Sequence, residues 1–271
     1  MSRFRFAALA LLLSVAFAWA LPANAQHEIT GALPKPAGDF RAKPIVVVAG
    51  ATGRTGRQLI AQLAKDERYS LRSLARDAAK AKRELGGEYN WVAADVTQPD
   101  SLLTPLRGAT YVIVAIGATE RSGPNSPEFV DYGGVRHLVD AAKRGGVQQL
   151  TLISSIGVEG EGGFTRWILN LVGGDVLVWK KKGERYLRAS GIGYTILRPG
   201  GLSDQAGGKV GLAFDQDPDA FGRITRADTA TVAIATLGNA AALGKSFNAI
   251  ADESAARDAW RGKFPALKRD R

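Results

Sequence analysis

Three glycines at every third position, Gly50, Gly53 and Gly56, lie in the run Ile45-Val46-Val47-Val48-Ala49-Gly50-Ala51-Thr52-Gly53-Arg54-Thr55-Gly56-Arg57-Gln58-Leu59-Ile60. An apolar stretch precedes them and an amphipathic one follows. Glycine at the first two positions permits a tight turn and lets backbone N–H groups approach a pyrophosphate, while the third lets helix and strand pack closely. A helix starting here would aim its unpaired N–H groups and positive dipole end at the phosphates. The turn, with Thr52, Arg54 and Thr55 among its residues, thus has the chemistry of a dinucleotide cradle; the alternative is a glycine turn kept only for packing.

Further positions fit the same ligand. The stretch Ser73-Leu74-Ala75-Arg76 ends in arginine, where an acid would hydrogen-bond the ribose 2′-hydroxyl of NAD. Arginine can instead hold the 2′-phosphate of NADP through a bidentate, charge-assisted contact. This spacing points to NADP, with NAD possible, and makes Arg54 a candidate second cation; otherwise Arg76 is a solvated loop cation. Asp95, after Val92-Ala93-Ala94, either meets an adenine amino group with Val96 packed on the ring, or caps a helix that begins near Pro99. Ala115 and Gly117 are small enough to let ribose and pyrophosphate pass.

The elements that must position these residues alternate along the chain. Short apolar runs at Ile45–Ala49, Ser70–Arg76, Asn90–Ala94, Thr110–Gly117, Gln149–Ser155, Tyr194–Arg198 and Ser246–Ile250 read as strands. Helical periodicity falls between them: Gly56, Leu59, Ile60 and Leu63; Val135, Leu138, Val139 and Ala142; and Val176, Trp179, Gly183, Tyr186 and Leu187. Strands apolar on both faces, such as Val46-Val47-Val48, suit a parallel sheet covered by helices. The expected fold is α/β, a doubly wound parallel sheet of Rossmann type, forming a single domain over 44–253 with a small C-terminal substrate lobe.

Composition narrows the function. The 271 residues include 32 glycines, no cysteine and two histidines, His27 and His137, and carry a formal charge of +10. Disulfides, cysteine nucleophiles, zinc fingers and iron–sulfur clusters are excluded, and a histidine-rich metal site with them. The basic balance comes without aromatic–basic interleaving or a nucleic-acid motif, so no specific nucleic-acid partner is expected. Arg3 and Arg5, the apolar run Phe6–Leu21, Pro22 and Ala23-Asn24-Ala25 read as a signal peptide over 1–25 cut before Gln26, leaving no stable membrane span. The competing reading is an uncleaved anchor. Export to a bacterial periplasm is expected, with a plastid presequence as the alternative. Residues 26–43, with Gly31, Pro34, Pro36 and Gly38, read as a linker. Residues 254–271 read as a basic tail, either a docked helix around Ala255–Trp260 held by Trp260 and Phe264, or a free arm.

Taken together, the glycine turn, Leu74-Ala75-Arg76-Asp77, Ala94-Asp95-Val96-Thr97, Val130-Asp131-Tyr132-Gly133-Gly134, Leu152-Ile153-Ser154-Ser155-Ile156-Gly157 and Tyr194-Thr195-Ile196-Leu197-Arg198-Pro199-Gly200-Gly201-Leu202 resemble the atypical short-chain dehydrogenase/reductases. The likeness is to the NAD(P)H-binding group of NmrA-like and flavin and biliverdin reductase B-like proteins. It implies that Ser154 and Ser155 lie by the nicotinamide, that Pro199 and Gly200 border it from the other side, and that Lys180 holds the nicotinamide ribose, unless Lys180 belongs to a solvated basic face. The usual tyrosine acid four residues before that lysine is Val176, which transfers no proton. Tyrosine-dependent alcohol dehydrogenase and epimerase chemistries therefore lose support. What remains is an NADPH-dependent reductase of a flavin, quinone or similar small apolar substrate, with Ser154, Ser155 and Lys180 at the reaction, or a non-catalytic NAD(P)-binding sensor or assembly protein. Residues 118–130 and 158–175, with Phe164, Trp167 and Leu171, are the expected substrate walls.

Overall fold

A computed structural model describes residues 42–160 and 175–270. The expected leader, most of the linker and the aromatic part of the second substrate wall lie outside the described residues. Ten strands are present: β1 Ile45–Ala49, β2 Ser70–Ala75, β3 Trp91–Ala93, β4 Tyr111–Val114, β5 Gln149–Ile153, β6 Gly193–Pro199, β7 Gly201–Ser203, β8 Gly211–Asp215, β9 Arg223–Thr225 and β10 Lys245–Asp252. The helices among the described residues are α1 Arg54–Leu63, α2 Ala78–Leu85, α3 Leu103–Leu106, α4 Val135–Gly145, α5 Val176–Ala189 and α6 Arg226–Ala235, with a π-helical turn at Glu128–Gly134. None of them is long and apolar enough to cross a membrane.

Eight strands form one sheet in the order β3-β2-β1-β4-β5-β6-β10-β8, parallel except for β8, which runs antiparallel to β10. This is the doubly wound Rossmann-type sheet. Its order reverses between β1 and β4, and that reversal opens a crevice at the carboxyl ends of those two strands. Alternation within β1 shows why the sheet needs cover on both sides. Val46 and Val48 join α1, α6 and the chain's end in one core, whereas Val47 and Ala49 join α3 and α4 in the other. Burial of each of these valines contributes about 1.5–3 kcal/mol.

The seven expected strands all form. The structure adds β7, β8 and β9, whose short runs interrupted by Gly and Asp carry little periodicity, and β7 and β9 pair as a separate two-stranded ribbon. In α5 the expected apolar stripe is displaced. Leu177, Gly183, Glu184 and Leu187 are buried while Val176, Trp179 and Tyr186 stay half-exposed, because Glu184 turns inward to meet Arg198, 2.6 Å away.

The basic tail is neither an α-helix nor a free arm. Residues Ala259–Gly262 and Phe264–Ala266 form 3-10 turns that place Trp260 and Phe264 in the core against Phe214. Lys245 Nζ donates to the Phe264 carbonyl at 2.7 Å, and Asp270 accepts from Tyr194, Ser246 and Arg188. The segment thus completes the same compact unit as the sheet, which extends from Ala42 to Arg271.

Candidate functional site

The crevice at the sheet's reversal is shaped by backbone. Gly50 leaves β1 with φ +84°, and a Cβ there would lie 2.4 Å from the Ala115 carbonyl oxygen. A Cβ on Gly56 would lie 2.0 Å from Gly50 O, so the third glycine is what lets α1 start this close to its own strand. Gly53 N donates to Gly50 O at 3.0 Å. Gly53 is also the N-cap of α1 and has no side chain to satisfy the first-turn N–H groups, which carry no acidic neighbour either. Such an end suits an anion. Residues around it enclose about 190 Å³ of space lined by Gly50, Thr52, Gly53, Arg76, Asp95, Val96, Ala115 and Gly117, joined by Thr97, Ile116, Thr119, Asn125 and Val130. A dinucleotide fits this donor set: bare N–H groups, small walls and a cation at one end.

Several expected roles change in detail. Arg76 follows β2 and donates to Asn125 Oδ1 at 3.0 Å, and Asn125 Nδ2 in turn donates to Glu120 at 3.0 Å. Residues 118–126, expected as a substrate wall, therefore fold over the Arg76 end of the crevice. Arg54 pairs with Asp204, which also holds Arg226 at 2.8 Å, and is not among the residues that line the crevice with Arg76. Asp95 keeps one oxygen on the Thr97 N–H and hydroxyl, at 2.9 and 2.8 Å, yet still lines the crevice. Thr55 lies half-buried in the first turn of α1.

The other end of the crevice holds the residues whose roles the resemblance implied. Ser154 leaves β5 buried, its N–H donating to Leu197 O at 2.7 Å, and its Oγ has no hydrogen-bond partner among the described residues. It shares a small cavity with Lys180, Asp131, Ile116 and Leu152. Lys180 Nζ forms an ion pair with Asp131 Oδ1 at 2.7 Å. Asp131 Oδ2 accepts from Ala118 N at 3.0 Å. Lys180 is accordingly no part of a solvated face. Ser155 is half-buried beside Ser154. Pro199 ends β6 and Gly200 follows it; a Cβ on Gly200 would meet Gly222 O at 2.6 Å, so a close backbone approach requires glycine there.

Sequence reasoning assigned no role to Asp131 or Asn125. Asp131 lies in the π-helical turn, whose wider winding breaks the 3.6-residue pattern that would place it on an inner face. The one available signal was an acid flanked by Val130 and Tyr132 ahead of two glycines.

No tyrosine lines the cavity of Ser154 and Lys180. Tyr186 donates to Asp140 at 2.7 Å, and that bond, with burial, pushes its hydroxyl above the usual range. Burial, helped by Asp270, pushes Tyr194 up to about 12. Both shifts oppose proton transfer near neutral pH. The segment leaving Ser154 is fixed by charge. Burial alone would raise the Glu159 carboxyl, but Arg198, Arg188 and Lys181 around it hold it below its ordinary value.

Comparison with known proteins agrees with this geometry. A family profile described as NAD(P)H-binding matches residues 50–240. An uncharacterized chloroplastic protein of Arabidopsis thaliana is 33% identical over 215 residues, 71% of this chain and 65% of that protein. Sanguinarine reductase of Eschscholzia californica is 30% identical over 239 residues, 73% of this chain and 86% of the enzyme. The chloroplastic protein TIC 62 of Pisum sativum is 37% identical over 183 residues, 60% of this chain but 34% of its own length. The chain thus spans less than two thirds of two of these relatives. Among solved structures, an oxidoreductase from Lactococcus lactis superposes with a TM-score of 0.70 at 22% identity, covering 84% of this chain and 100% of that one. A short-chain dehydrogenase/reductase from Veillonella parvula in complex with NADP gives 0.63 at 17%, covering 79% and 97%. These two likenesses show the fold.

Gly50→Ala tests the crevice. Forcing φ +84° on alanine and pressing its methyl on Ala115 should lower stability by about 1–3 kcal/mol and weaken NADPH binding at least about tenfold. Gly108→Ala is the control: it has φ +71° with nothing within 4 Å of its Cβ. It should lose stability, read by thermal melting, and keep nucleotide affinity. Equal affinity in the two variants would contradict the assignment.

Proposed function

Because the chain belongs to the NAD(P)H-binding family, we propose that it is a reductase that binds NADPH along the crevice at the β1/β4 reversal and passes a hydride to a small apolar acceptor, a flavin, quinone or similar molecule. The observation that carries this reading is the uncapped start of α1 behind Gly50, a phosphate site ready-made from backbone. The N–H groups of Arg54 and Thr55 in the first turn of α1, beside Thr52, would meet the pyrophosphate, and Arg76, steadied by Asn125, the ribose 2′-phosphate. Asp95 and Val96 would border the adenine, and Ala115 and Gly117 the linking sugar and phosphates. Bound NADPH supplies the hydride. Ser154 Oγ, buried without a partner, would orient the acceptor at the reaction end, with Ser155 beside it, and Lys180 would bind the nicotinamide ribose. Since no tyrosine stands four residues before Lys180, the acceptor must be one that takes its proton from water, which flavins and quinones do.

The same absence favours a second reading, a non-catalytic NAD(P)-binding protein that senses or assembles. Fluorescence titration with NADPH and NADH, followed by turnover with flavin and quinone acceptors, separates the two. Binding with acceptor-dependent NADPH oxidation is expected; binding with no oxidation across the panel leaves the second reading, and failure to bind either nucleotide overturns both. Arg76→Ala should weaken NADPH binding by roughly ten- to a hundredfold and leave NADH nearly unchanged, the size of a lost charge-assisted contact.

We infer too that residues 1–25 are a leader removed on passage across a membrane. Their basic start, apolar run and Ala23-Asn24-Ala25 support export to a periplasm, whereas chloroplastic relatives support the plastid form of the same reading. N-terminal sequencing of the mature protein should begin at Gln26; Met1 or Ser2 would refute removal.

A further inference from the structure

Asp131 exposes none of its side chain, yet it is a carboxylate bordering the cavity that holds the unpartnered Ser154 hydroxyl. A lone buried carboxylate is costly, and here Lys180 offsets it at 2.7 Å. The compensation works in both directions. Lys180 borders the same cavity and is 17% exposed, and by itself would make the reaction end positive. With Asp131 against it, that end presents a hydroxyl, the apolar walls of Ile116, Val135 and Leu152, and no net charge. The geometry is held from two further sides. Ala118 N fixes the second carboxylate oxygen, and Gly183 lets α5 come so close that a Cβ there would lie 2.8 Å from the Asp131 carbonyl oxygen.

We propose that Asp131 is a specificity-determining residue: by neutralising Lys180 it makes the site take uncharged acceptors and reject anionic ones of the same shape. The proposal rests on the reading of this cavity as the reaction end. The cavity itself holds no more than a water-sized group, about 10 Å³, so the acceptor would rest against its mouth; an anion there gives up hydration and finds no free counter-charge among these side chains, whereas an uncharged ring gives up little. Once Asp131 loses its charge, Lys180 becomes that counter-charge.

The test uses the full chain saturated with tetrahydro-NADP, whose reduced ring is uncharged and donates no hydride, and measures, by equilibrium dialysis, the binding of 1,4-naphthoquinone and of its 2-sulfonate. Because this neutral-ring cofactor is common to every sample, the ratio of the two affinities isolates the protein's charge. The wild type should hold the sulfonate about tenfold or more weaker than the parent quinone. Asp131→Asn, which keeps an acceptor for Ala118 N, should shift the ratio toward the sulfonate by about tenfold or more, as expected for an uncompensated charge at close range. Adding Lys180→Met to Asp131→Asn should return the ratio to the wild-type value, a reversal that a merely structural role for Asp131 would not produce. Asp131→Ser serves the same purpose should the asparagine variant not fold. A ratio within twofold of wild type in the single variants, a shift that survives removal of Lys180, or no binding of either quinone would overturn the proposal. NADPH oxidation assayed in parallel tests the reductase reading separately: loss of turnover with the charge ratio intact sinks that reading alone, and turnover with an unchanged ratio sinks this one alone.

Discussion

A Cβ on Gly50 would sit 2.4 Å from the carbonyl oxygen of Ala115, and one on Gly56 would sit 2.0 Å from that of Gly50. The site depends on this double approach of backbone to backbone. It brings the start of α1 down onto the carboxyl ends of β1 and β4, where the sheet order reverses, and leaves the first-turn N–H groups of the helix facing open space. Anything larger than glycine at Gly50 would push the turn off β4 and part the phosphate end of the crevice from Ala115 and Gly117. The sheet is built to hold that contact still: alternate residues of β1 are anchored in two separate cores, one on each face.

From the turn the crevice extends two ways, and polar contacts between elements distant in sequence set each end. Arg76 is tied to Asn125 at one end and Lys180 to Asp131 at the other, while Asp131 also holds Ala118 in the loop that carries Asn125. One loop between β4 and the π-helical turn is thereby fastened at both limits of the crevice. The proposed hydride transfer to an acceptor that needs no protein acid would take place beside the Ser154 hydroxyl and the Lys180–Asp131 pair, a cavity that no tyrosine lines.

The parts legible in the sequence were those written in local patterns. Val46–Val48 declared a strand buried on both faces, and the glycine spacing declared its turn. The stripes of Leu59, Ile60 and Leu63 and of Leu138 and Val139 declared their helices. What escaped depended on partners far along the chain. Glu184 is buried because Arg198 meets it on the next strand, and that shifts the inner face of α5 away from Trp179 and Tyr186. Asp131 faces inward because a π-helical turn resets the periodicity just before α4. The basic tail packs because its aromatic residues meet Phe214 and Phe247, one of them on a strand with no periodic signal. Charge counts alone could not distinguish a docked segment from a free arm.

The central claim is a location, the crevice between the glycine turn and β4, and hydrogen–deuterium exchange of the full chain with and without NADPH addresses it most directly. The account predicts added protection in peptides covering residues 50–56, 73–77, 94–97 and 115–119, with none in the hollow between α1 and α6 lined by Gln62 and Thr231. Protection confined to that hollow, or absent from residues 50–56, would contradict it.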